Sequence, residues 1–70
     1  MEEKTKFGQR IRELRKNKRF TQEDLAEELN VAQTNITDWE VRGKEPKYVM
    51  LCKIAKFFDV TTDYLLGLED

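Results

Sequence analysis

Between Thr21 and Trp39 the chain reads TQEDLAEELNVAQTNITDW, and its apolar positions fall into two separate helical registers. Leu25, Ala26 and Leu29 mark one turn of one helix, and Ile36 and Trp39 mark one turn of another. The register breaks at Asn30, a residue type that tolerates the left-handed backbone of a sharp turn, and Val31 follows it. Ala26 is small where two crossing helices must approach. The pattern predicts a helix-turn-helix, with the second helix set steeply across the first. The start of the first helix is also signalled. Thr21 and Asp24 stand at capping-box spacing, and Glu23 and Asp24 suit the positive end of the helix dipole.

The flanking sequence predicts three further helices. Phe7, Ile11 and Leu14 form a stripe over about Lys6 to Lys18, and the cations toward the end of that stretch complement the dipole. Phe20 is expected to enter the core and staple the next helix. Gly43 and Pro46 mark a loop. A helix from about Lys47 to Phe58 is expected to turn Tyr48, Leu51, Cys52, Ile54, Ala55 and Phe58 inward and leave Val49, Met50 and Phe57 partly outward. A last short helix is capped by Thr61 and ended by Gly67. The expected fold class is all-α. Residues 1–70 form one compact five-helix domain with its core at about 7–67 and the helix-turn-helix at helices two and three.

The helix predicted over Ala32 to Glu40 leaves Gln33, Thr34, Asn35, Thr37 and Asp38 on its outer face, with no Lys or Arg among them. Such side chains suit reading base edges better than gripping phosphates. The formal net charge of −1 argues against a polyanion partner until it is mapped along the chain. Residues 1–20 carry net +5, residues 21–40 net −6, residues 41–56 net +4 and residues 57–70 net −4. Basic segments thus flank the acidic helix pair, an arrangement able to hold a polyanion. The plainer alternative is that a surface with 39% charged residues keeps a small domain in solution.

Composition excludes several other chemistries. The chain has no His and no Ser, so imidazole catalysis, His-containing metal sites and a serine nucleophile are absent, and no Gly-rich phosphate loop occurs. The expectation is a protein that is not an enzyme and uses no cofactor, metal or small-molecule ligand. No apolar run approaches the roughly 20 residues of a membrane span. The N-terminal MEEKTK lacks the apolar region of a signal peptide. A single cysteine, Cys52, fits a reducing cytoplasm and is read as a small core residue.

Together these spacings are familiar. Gln22-x-x-Leu25-Ala26-x-x-Leu29-Asn30-Val31, then Ile36-x-x-Trp39-Glu40, the Gly/Lys/Pro loop, Leu51-x-x-Ile54-Ala55 and Asp63-Tyr64-Leu65-Leu66-Gly67 follow in order. The set resembles the Cro/C1-type (phage-repressor-like, XRE) helix-turn-helix family of bacterial DNA-binding regulators, over about residues 7–67. The resemblance implies a lambda-repressor-like fold and base contacts from Gln33, Thr34, Thr37 and Asp38. It implies a phosphate contact from Gln22, a backbone-proximal place for Asn35, and phosphate contacts from Lys44, Lys47 and Arg42. It also implies a largely buried ion pair between Arg15 and Glu40. Its members read two half-sites about 34 Å apart as dimers, so duplex DNA and a second copy of the chain are the expected partners, with Val49, Met50, Phe57 and Leu68 as candidate interface residues. A repressor on a palindromic operator is the expectation. A helical protein-binding module, antitoxin-like or anti-repressor-like, is the alternative.

Some positions depart from the family pattern. Asn30 and Asp59 stand where Gly is usual, Ala32 and Lys47 where a capping hydroxyl is common, and Gly43 lies one place late. Asp38 at a reading position would favour a cytosine amino group or reject other sequences.

Overall fold

Three times the chain turns a corner by the same device, and these corners set the architecture. Arg19, Asn30 and Asp59 each adopt a left-handed backbone, with φ of 61°, 59° and 57°. Each is followed by an apolar residue, Phe20, Val31 or Val60, that is half-buried against the core. The amide of that apolar residue reaches back to a carbonyl of the preceding helix: Phe20 to Arg15 at 3.1 Å, Val31 to Ala26 at 2.9 Å, Val60 to Ala55 at 2.9 Å. These are Schellman closures with their usual hydrophobic contact. The next residue, Thr21, Ala32 or Thr61, is extended and holds the N-terminal cap position of the following helix.

The computed structural model describes residues 5–69. Residues 1–4, which carry most of the stretch read as lacking a signal peptide, and residue 70 lie outside the described residues. The elements are α1 (Lys6–Asn17), α2 (Gln22–Leu29), α3 (Gln33–Glu40), α4 (Tyr48–Phe58) and α5 (Thr62–Leu66), and no strand occurs among the described residues. The expected all-α, five-helix architecture is therefore observed, with α1, α3 and α4 each starting or ending a residue inside the expected span.

Helix starts follow the expected chemistry. Thr21 Oγ1 accepts from the Asp24 amide while Asp24 Oδ2 accepts from the Thr21 amide, a complete capping box. Thr61 Oγ1 accepts from the Tyr64 amide. Ala32 and Lys47 provide no side-chain cap to α3 and α4, as their residue types foretell.

The core gathers Phe7 and Ile11 of α1, Leu25, Ala26 and Leu29 of α2, Ile36 and Trp39 of α3, Ile54, Ala55 and Phe58 of α4, and Leu65 of α5. Helix α1 packs on α3 and α5, α2 on α3, and α4 on α5. Phe7 meets Trp39 edge-on with ring centroids 6.0 Å apart, which places the tryptophan firmly in the core. Lys53 of α4 donates from Nζ to the Leu29 carbonyl at 2.7 Å, closing the C-terminal end of α2.

One expectation for α4 is corrected. Tyr48 is exposed, not inward: it begins α4, and the core contacts of that first turn come from Met50 and Leu51. Phe57 is half-buried, partly outward as expected. It lies 6.2 Å from Phe20 and 4.9 Å from Phe58, ring to ring, because the left-handed turn at Arg19 drops Phe20 onto the end of α4. Met50 likewise packs on the core.

Candidate functional site

Helix α3 is held from beneath by Ile36, fully buried, and Trp39. With those two fixed at helical spacing, the opposite side must face outward. Gln33, Thr34 and Asn35 are exposed, and Thr37 and Asp38 half-buried at the edge of the same face. None of the five is covered over, so the polar face expected from the sequence is open in the fold.

Behind this face lies a hydrogen-bonded chain that joins three helices. Arg15 and Glu40 form the expected buried pair, and it is bidentate: Arg15 Nε donates to Glu40 Oε2 at 2.8 Å and Nη2 to Oε1 at 2.9 Å. The side chains are 10% and 1% exposed. Arg15 Nη1 also donates to the Phe20 carbonyl at 2.8 Å, which ties the pair to the turn between α1 and α2. Gln22 Nε2 then donates to Glu40 Oε1 at 3.3 Å, and Thr37 Oγ1 donates to Gln22 Oε1 at 2.9 Å. Gln22 is thus engaged within the protein, on α3, where the resemblance implied a phosphate contact. No sequence signal paired it with Thr37, because the two lie on different helices whose crossing only the fold defines.

The basic loop closes against the same helix. Asp38 Oδ1 accepts from Arg42 Nη1 at 2.8 Å, and Lys44 Nζ stands 3.9 Å from Asp38 Oδ2. The amides of Arg42 and Lys44 both donate to the Asp38 carbonyl at 3.1 Å. Gly43, with φ of 73°, makes that tight return possible. The guanidinium and ammonium groups stay solvated, with Arg42 and Lys44 side chains 54% and 69% exposed. Lys47 lines a cleft of about 330 Å³ together with Asn35, Val31 and Pro46. Lys44 and Lys47 therefore flank the polar face of α3, on its own side of the molecule. Asp38 is bound to the loop cations, an arrangement that residue type alone does not reveal.

Of the candidate interface residues, Val49 and Leu68 are 77% and 73% exposed, whereas Met50 and Phe57 are half-buried on their own core. Cys52 is half-buried. Sequence reading missed Gly8. A Cβ there would stand 2.4 Å from the Trp39 carbonyl oxygen, so this glycine lets α1 lie against the end of α3. A glycine within an otherwise helical pattern was the available signal. Among the described residues no group of acidic or thiol side chains is placed to hold a metal ion, and no helix is long and apolar enough to cross a membrane.

Comparison with known proteins gives this geometry a context. Residues 8–70 match a family model described as a helix-turn-helix domain. The chain is 40% identical over 64 residues to the uncharacterized HTH-type transcriptional regulator YobD of Bacillus subtilis, covering 91% of this chain and 57% of that one. It is 44% identical over 64 residues to the HTH-type transcriptional activator BcrR of Enterococcus faecalis, covering 91% of this chain and 31% of the relative. The chain thus spans about half the length, or less, of these curated relatives. Among solved structures, the restriction-modification controller protein C.AhdI of Aeromonas hydrophila superposes with a TM-score of 0.75 at 33% identity, covering 87% of this chain and 92% of that one. An open polar helix on a buried Ile/Trp base, a left-handed turn before it, a cationic loop after it and a match over nearly the whole chain lead to one conclusion: this chain belongs to the XRE-type helix-turn-helix family, whose members are transcriptional regulators and not enzymes.

Proposed function

We propose that this domain binds duplex DNA in a sequence-specific way, laying α3 into the major groove as one half of a two-fold dimer on a palindromic operator. The observation that carries this reading is the placement of Lys44 and Lys47 beside an α3 face that bears no cation of its own. Cations at the margins suit the phosphate strands, and the short polar side chains between them suit base edges. Gln33, Thr34 and Thr37 read bases. Lys44, Lys47 and Arg42 grip phosphates, with Asn35 near the backbone and Asp38 both setting the loop cations and facing the groove.

Molecular size supports the dimer. The domain measures 31 × 27 × 23 Å, small enough for two copies to stand side by side on half-sites one DNA turn, about 34 Å, apart. Val49 and Leu68 supply exposed apolar surface for such a contact, with the exposed edges of Met50 and Phe57 adding to it. Repression follows if the bound dimer covers a promoter. One relative is named a transcriptional activator, so activation is the alternative outcome of the same binding.

A protein partner is the second reading, favoured by the exposed acidic residues Glu23, Asp24, Glu27 and Glu28 on α2. A salt titration separates the two. DNA binding should give a log–log slope of about −0.9 for each phosphate neutralised, with several contacts per protomer. A flat response to salt would favour the protein partner. In vitro selection from a random duplex pool should return a palindrome, and an asymmetric site would refute the two-fold arrangement.

A further inference from the structure

The chain of hydrogen bonds behind α3 also has a direction, and that direction reaches the reading face. Arg15 is a donor only, so it fixes both Glu40 oxygens as acceptors. Glu40 is 3% exposed and, as a carboxylate, offers no proton. The neighbouring Gln22 amide must therefore turn its NH₂ toward Glu40 Oε1, and the bond forms at 3.3 Å. The opposite orientation would set a carbonyl oxygen against a carboxylate oxygen. Once the amide is oriented, its Oε1 is committed to face Thr37, and it can only accept. The Thr37 hydroxyl then spends its one proton inward, at 2.9 Å. Its other contact, the Gln33 carbonyl one turn back at 3.4 Å, is also an acceptor and likewise keeps the proton within the protein.

We infer that Gln22 is a positioning residue for base recognition: through the Arg15–Glu40 pair it fixes Thr37 so that the hydroxyl reaches DNA as an acceptor and not as a donor. This inference rests on the DNA reading proposed above. In the major groove, adenine N6 and cytosine N4 carry donor protons, while guanine O6 and thymine O4 are acceptors. Thr37 is matched to the amino-bearing bases. An acceptor set against an acceptor leaves both unsatisfied in a desolvated groove. The domain thus uses a buried ion pair one turn along α3 to decide which bases Thr37 accepts.

The test uses fluorescence anisotropy on a duplex recovered by selection, with each position varied through all four bases, for the natural chain and for Gln22→Met, Thr37→Val and the double variant. At the position where Thr37→Val flattens the ranking, the natural chain should prefer adenine or cytosine over guanine or thymine by about tenfold, the size of one mismatched hydrogen bond. Gln22→Met should cut that preference several-fold and leave the ranking at the position read by Gln33 unchanged. In the Thr37→Val background, Gln22→Met should change the ranking no further. Loss of affinity by Gln22→Met on all bases alike would make Gln22 merely structural and overturn the inference, as would an unchanged ranking or a natural preference for guanine or thymine. If Gln22→Met fails to fold, Thr37→Val still decides: flattening the ranking at no position, or only at one where the natural chain prefers guanine or thymine, would overturn the inference. A natural chain with no salt-dependent binding to any duplex would overturn the DNA reading itself, and this inference with it.

Discussion

The backbone carbonyl oxygen of Trp39 occupies the space that a side chain on Gly8 would need, 2.4 Å from the ideal Cβ position. Helix α1 therefore rests directly on the last turn of α3, which carries the reading face. The obstructing atom belongs to the main chain, so the contact cannot be relieved by rotating a side chain. Gly8→Ala should destabilise the domain by about 2–3 kcal/mol, at the upper end of overpacking costs, despite alanine's better helix propensity. Urea unfolding measures it. A neutral or stabilising effect would mean that α1 and α3 do not meet so closely.

The Arg15–Glu40 pair should behave asymmetrically in a double-mutant cycle. Glu40→Leu or Arg15→Met alone leaves a buried charge without its partner and should cost about 3–5 kcal/mol. Arg15→Met combined with Glu40→Leu should cost less than the two singles added, because no buried charge is left over. The Phe20 carbonyl and the Gln22 amide lose partners in that variant, so full recovery is not expected. Additive losses in denaturant midpoints would show that the pair is not coupled.

Arg19 holds φ of 61° without being glycine or a side chain that hydrogen-bonds locally to favour that region. Arg19→Gly should relieve the strain and stabilise the fold by about 0.5–1 kcal/mol, raising Tm by about 4 °C or slightly more. Asn30→Gly and Asp59→Gly should gain less, since Asn and Asp already tolerate the left-handed region. Calorimetry on the three variants checks the order, and a larger gain at Asn30 than at Arg19 would contradict it.

Gln33 and Lys44 should separate the two modes of DNA contact. Gln33→Ala should cost about 1–3 kcal/mol on the selected sequence and relax preference at one base position. Lys44→Ala should weaken binding to every sequence alike and make the salt slope shallower by about one. Anisotropy titrations at several salt concentrations give both quantities. A uniform loss for Gln33→Ala, or an unaltered slope for Lys44→Ala, would refute the role concerned.

Local order determined the helices. Leu25, Leu29, Ile36 and Trp39 repeat at helical spacing, Thr21 and Asp24 stand three apart, and Asn30 fills a left-handed turn; each signal lies within a few residues of its effect, so it is visible in the chain itself. The open face of α3 was legible for the same reason, since burying Ile36 and Trp39 obliges Gln33 and Thr34 to point away. Tertiary structure alone decided how that face is supported. Gln22 meets Thr37 across fifteen positions of sequence and Arg15 meets Glu40 across twenty-five. Only the resemblance to a known family anticipated the second of these, and nothing anticipated the first. Tyr48 was misplaced because periodicity says which side chains share a helix face but not where the neighbouring helix ends. Gly8 is the clearest case: its missing side chain matters only because a carbonyl oxygen from α3 arrives there, and a one-dimensional pattern does not encode which atoms will compete for the same space.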